Sequence, residues 1–157
     1  MKKLKLYLDT SIFNFALADD VPYEKGITLR LFDEIISGKY EAFISELVIL
    51  EINRAPQEIR IKLSDLIKRI VPEELAIDED SQNLAKRYIN QGIIPTRYEN
   101  DALHIAVASV NDLDVLVSWN FKHIVKVKTK KEVTGVNALM GYKEIEIYSP
   151  LEVVEYV

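Results

Sequence analysis

The run Leu4-Lys5-Leu6-Tyr7-Leu8 breaks off at Asp9-Thr10-Ser11, and this feature restricts the fold most. An alternating, β-prone run that ends in a polar triplet describes a strand of a buried sheet leaving the core at its carboxyl end. Val115-Leu116-Val117 ends the same way, in Ser118-Trp119-Asn120. Strands that are apolar on both sides belong to parallel sheets with helices on both faces, so the intervening residues should carry helical patterns.

They do. Pro22 can open a helix in which Ile27, Leu31 and Ile35 recur every four residues, with Phe32 and Ile36 beside them and Gly38 closing it. Tyr40 to Ile44 reads as a strand. Ser45 reads as the N-cap of a helix carrying Leu47, Val48, Leu50, Glu51 and Ile52, which puts Glu51 near an apolar face. Pro56 ends that helix, and Glu58 to Ile70 forms the next. Val71 to Ile77 is a weaker strand pattern, interrupted by Pro72. Residues 79–91 are helical up to Gly92, and Thr96 to Val110 is a helix with Ala102, Ile105, Ala106 and Ser109 on one face. Ile145 to Tyr148 supplies a last strand before Pro150. The expectation is one α/β domain over residues 1–157, a mostly parallel sheet covered on both faces.

Sheets of this kind bind ligands at the carboxyl ends of their strands, where Asp9 and Ser118 would lie, beside the start of the Glu51 helix. The absence of cysteine excludes disulfides, Cys-zinc sites and thiol chemistry, so any metal would be held by carboxylates and the two histidines. No apolar run approaches the roughly 18 residues of a membrane span, and Met1-Lys2-Lys3 leads straight into a strand, so a cytoplasmic protein is expected. The net charge of -5 argues against a protein that coats nucleic acid by bulk attraction. Residues 122–131 depart from that balance, with five lysines and no acid. Lys122, Lys126, Lys128 and Lys130 are interleaved with Ile124, Val125, Val127 and Thr129, as in a short extended segment that offers lysines to phosphates or simply forms a solvated edge.

Three acids invite a chemical reading. Asp9 follows a buried strand, where a carboxylate needs a metal, a cation or hydrogen-bond donors; as a plain N-cap or turn residue it would need none of these. Glu51 either compensates its place on an apolar helix or pairs with Arg54. Asp101 opens a strongly apolar helix and either joins a site or complements the helix dipole. Together they make a site for a hard divalent cation, which would offset their mutual repulsion and polarise a phosphodiester. His104, three residues after Asp101, falls on the same helical face and could donate to the cluster from behind. His123 is either a packed residue or a tunable acid.

In their order, Tyr7-Leu8-Asp9-Thr10-Ser11, then Ile44-Ser45 with Glu51-Ile52, then Asp101-Ala102-Leu103-His104-Ile105-Ala106 resemble the acidic signature of PIN domains, of which VapC-type toxins are the commonest small members. The resemblance implies a sheet of about five strands and a metal-dependent endoribonuclease that cuts RNA with Mg2+ or Mn2+. It gives Asp9, Glu51 and Asp101 as metal ligands and catalytic acids, with Ser11 beside the first. Ser11, Lys122, His123 and Lys126 would touch substrate. Where the family usually has Thr-x-Asp-x-Asp-Phe after the fourth strand, this chain reads Ser118-Trp119-Asn120-Phe121-Lys122-His123. Asn120 would take the place of a catalytic acid without its charge, so a second metal should bind less well. The resemblance also implies a homodimer and an antitoxin partner. The alternative is a PIN-like module that binds RNA or protein without cutting. A phosphatase with a strand-terminal nucleophilic Asp ranks lower, because its usual second acid is Ser11 here.

Overall fold

The computed structural model describes residues 2–155. Its five strands are β1 (Leu4–Leu8), β2 (Tyr40–Ser45), β3 (Glu73–Leu75), β4 (Val115–Val117) and β5 (Glu146–Tyr148). They form one sheet in the order β3-β2-β1-β4-β5, with every pairing parallel. Eight helices connect and flank them: α1 (Thr10–Phe15), α2 (Pro22–Ile36), α3 (Glu46–Ile52), α4 (Gln57–Ile70), α5 (Glu79–Asn90), α6 (Glu99–Val110), α7 (Val127–Leu139) and α8 (Pro150–Val153). A 3-10 turn, Thr96–Tyr98, leads into α6.

β1 is central because its last three residues, Leu6, Tyr7 and Leu8, have no solvent exposure. Alternation sends Leu6 and Leu8 into the layer of α1, α2, α3 and α4, and Tyr7 into the layer of α5, α6 and α7. Burying each leucine contributes about 1.5–3 kcal/mol, which fixes the register against a one-residue slip. After β1 the chain moves to β2, whereas after β4 it moves to β5 on the other side. The carboxyl ends of β1 and β4 therefore flank the switch point of the sheet, where a crevice opens in folds of this type. Among the described residues no helix is long and apolar enough to cross a membrane.

Three sequence readings need correction, and one short helix left no periodic trace to read. The lysine-rich segment is not extended: residues 121–126 form turns and α7 begins at Val127. Its buried residues Thr129, Val133, Val136 and Asn137 follow helical spacing, and two of them are polar, which hid the face behind the alternation of Lys with Ile and Val. Helix α1 follows Asp9 at once and is six residues long, too short to show a period. Leu50 is exposed, so the apolar face of α3 is narrower than its sequence suggests. The weak strand shrinks to Glu73–Leu75, pairing only with β2.

Candidate active site

Asp9 stands directly after β1 and is almost fully buried, at 3% exposure. It occupies the N-cap position of α1, yet its side chain caps nothing. Both carboxylate oxygens are taken by hydroxyls instead. Ser11 Oγ donates to Oδ1 at 2.5 Å and Ser118 Oγ donates to Oδ2 at 2.5 Å. The pairing of Leu8 with Val117 puts Asp9 level with Ser118 across the sheet. The same two hydroxyls hold the loop after β4, accepting from the backbone N–H of Trp119 (2.9 Å, to Ser11) and of Asn120 (2.9 Å, to Ser118). Trp119 anchors that loop in the opposite layer, with its indole N–H donating to Thr28 Oγ1 at 2.8 Å and its ring stacked on Phe15. Ser11 thus braces Asp9 and the β4 loop.

Glu51, on α3, reaches the same edge. Its Oε1 accepts from Thr10 Oγ1 at 2.8 Å and from His104 Nε2 at 2.7 Å. Behind it runs a buried chain in which Tyr7 OH lies 2.7 Å from His104 Nδ1 and 2.8 Å from Ser45 Oγ. Glu51 as a carboxylate can only accept, so His104 donates from Nε2. With a neutral ring Nδ1 accepts from Tyr7 OH and Tyr7 accepts from Ser45; with a charged ring Nδ1 donates to Tyr7 and Tyr7 donates to Ser45. Ser45 Oγ accepts in turn from Leu47 N–H, as the N-cap of α3. A strand residue, a cap and a helix histidine from three elements thereby fix the position of Glu51.

Asp101 lies in the first turn of α6, half-buried, so it complements the dipole of that helix and also faces the site. Burial raises its pKa; His104, His123 and the hydrogen-bonding Asn120 amide pull it down, and the Glu51 charge pushes it up. Burial also raises the pKa of Asp9, opposed by His104, Ser11 and Ser118 and reinforced by the charge of Asp101. Glu51 behaves differently. Burial pushes it up, but the bond from His104, the His104 charge and the bond from Thr10 outweigh that and leave it lowered. The three acids are thus electrostatically coupled, with Glu51 the one held most firmly as an anion.

Of the other expected residues, Asn120 accepts from His123 N–H at 2.9 Å, so it shapes the turn as well as touching Asp101. His123 is buried and packs against Tyr98, with ring centroids 4.0 Å apart and the rings tilted by 34°. Lys122 and Lys126 are exposed on the same loop. The structure therefore brings Asp9, Glu51, Asp101, Asn120, Ser11 and His104 together at the switch point, with His123 and Lys122 at its rim. Sequence reasoning missed Tyr7 as a member of the network. A tyrosine among aliphatic residues on a doubly covered strand was the available signal, because its hydroxyl must find a partner when buried.

The donor set of three carboxylates and an amide suits a hard cation in kind. Among the described residues, no three of the His, Asp and Glu side chains form a ready-made metal cage. Mg2+ does not require one, as it commonly takes one or two carboxylates and keeps several waters.

No family model and no curated protein matches the sequence. Solved structures do match its fold. The chain is similar to one in the VapBC2 complex of Rickettsia felis bound to a promoter DNA fragment, with a TM-score of 0.61, 16% identity and coverage of 93% of this chain and 98% of that one. It is similar to a chain of DNA-bound VapBC from Salmonella typhimurium, with a TM-score of 0.59, 17% identity and coverage of 94% and 98%. It also matches a chain of VapBC-5, of the VapBC family of toxin-antitoxin systems in Mycobacterium tuberculosis, with a TM-score of 0.50, 18% identity and coverage of 92% and 98%. At such identities the likeness speaks for architecture, and it covers nearly the whole chain: this protein has the PIN-like α/β/α fold that it shares with chains of VapBC toxin-antitoxin complexes.

Proposed function

We propose that this chain is a divalent-metal-dependent endoribonuclease and the toxin member of a toxin-antitoxin pair. One observation carries the enzymatic reading. Asp9 and Asp101, both with pKa raised by burial, are set against each other at the switch point beside an ionised Glu51. Buried like charges are costly unless a cation or function compensates them. Asp9 and Asp101 would hold the metal with Glu51 completing the set, and Mg2+ or Mn2+ bound there would stabilise charge developing on a phosphodiester. The protein's own contribution is positioning. Ser11 and Ser118 hold Asp9, the Tyr7-His104 chain holds Glu51, and Asn120 orients Asp101 without adding charge.

The antitoxin partner rests on the fold shared with VapBC chains, and an RNA substrate and a homodimer rest on the sequence resemblance. A second reading, a module that binds without cutting, draws on Asn120, which supplies an amide where a further acid would strengthen a second metal. Mn2+ titration followed by electron paramagnetic resonance, run beside an assay on single-stranded RNA, separates the two. The nuclease reading requires saturable Mn2+ uptake and cleavage that EDTA stops. Uptake without cleavage at any metal level would favour the binding module.

A further inference from the structure

Arg97, Lys122 and Lys126 are exposed cations from two separate loops, and among the described residues none of them forms an ion pair. Two of them, Arg97 and Lys122, converge on one ring. The Arg97 guanidinium lies 5.3 Å and the Lys122 ammonium 5.8 Å from the centroid of the Tyr98 ring. His123 packs against the same ring, tilted, with centroids 4.0 Å apart. Charges on Lys122, Lys126 and Arg97 all bear on the His123 imidazole, as does the opposite charge of Asp101. His123 is itself more than nine-tenths buried, and its Nε2 has no hydrogen-bond partner.

A buried donor or acceptor without a partner is rare and costs about 1–3 kcal/mol. Like charges gathered together are also unfavourable. An anion would relieve both. We propose that Arg97, Lys122 and His123 form a phosphate subsite on the rim next to Asp101, which holds a phosphate of the nucleic-acid strand neighbouring the one at the acidic cluster. Tyr98 is its organising element, because one ring aligns two cations and the imidazole. That the phosphate belongs to a nucleic-acid strand rests on the nuclease reading; the anion site does not.

The test uses the whole chain in EDTA, so neither metal nor cleavage enters it. Inorganic phosphate is titrated first and the His123 ring resonances are followed by NMR, with His104 as an internal control. The expected result is a saturable shift at His123, little change at His104, and loss of the effect in R97A and K122A. A short single-stranded oligoribonucleotide is then bound over a range of salt. Each of R97A and K122A should lower the slope of log K against log salt by about 0.7–1. Both substitutions are at exposed positions, and unchanged melting shows that they fold. No shift at His123, or a shift that survives in both variants, overturns the subsite. So does an unchanged salt slope. Wild-type cleavage with Mn2+ is scored separately, so failure of the subsite leaves the nuclease reading standing, and the reverse also holds.

Discussion

His104 donates from Nε2 to Glu51 Oε1 at 2.7 Å, and this bond joins the second turn of α6 on one sheet face to the end of α3, a helix reached from another strand. The two residues are 53 positions apart in sequence. Tyr7, whose hydroxyl lies 2.7 Å from the other ring nitrogen, holds the imidazole in that orientation.

Tyr7→Phe should therefore destabilise the protein although it deletes a single oxygen. It leaves His104 Nδ1 and the Ser45 hydroxyl buried without that partner, a cost of about 1–3 kcal/mol. For a domain of this size each kcal/mol lowers Tm by about 2–4 °C. Thermal melts of the two proteins at neutral pH check this, and an unchanged Tm would show that the network contributes nothing to stability.

Asp9→Asn should raise the stability of the metal-free protein at neutral pH. The folded-state pKa of Asp9 lies above its ordinary 3.8, chiefly through burial. The native state therefore binds that proton more tightly than the unfolded chain does. Stability linked to Asp9 is fully present below pH 3.8 and is lost as pH rises through the raised value. Asn removes the loss, so the Tm advantage of the variant in EDTA should be largest near neutrality and fade as pH falls into the acidic range. Scanning calorimetry from neutral to mildly acidic pH measures it. An advantage that grows with acidification has the wrong sign for this explanation.

Val71 follows α4 in the left-handed region at φ 53 and ψ 54, and it is 80% exposed. A β-branched residue there costs about 1–2 kcal/mol in backbone strain, at a position where glycine is usual. Val71→Gly should raise Tm by a few degrees and leave RNA cleavage untouched, since the residue lies on the far end of α4. A lower Tm would mean that the exposed side chain has a partner.

The fold and the three acids were legible because their signals are local. Leu4 to Leu8 announced a buried strand, Ser45 announced a cap, and the apolar run after Asp101 announced α6. Glu51 was legible only as an anomaly, and α3 proved more open than expected because Leu50 faces solvent. What holds the acids was not legible. Ser118 meets Asp9 through strand register, and Tyr7 meets His104 across 97 residues, neither of which leaves a periodic trace. Helix α7 was hidden for a different reason, since its inward face is built partly from Thr129 and Asn137.

Single-stranded RNA cleavage by the wild type, Asp9→Asn and Asp101→Asn, compared at fixed Mn2+ and again in EDTA, tests the central claim most directly. The wild type should cut and EDTA should stop it. Each variant should be slower by about 100-fold or more, as expected when a charge that stabilises the transition state is removed, while circular dichroism shows both folded. Cleavage by Asp9→Asn at the wild-type rate, or wild-type cleavage that persists in EDTA, would contradict the assignment of this carboxylate cluster as a metal-dependent nuclease site.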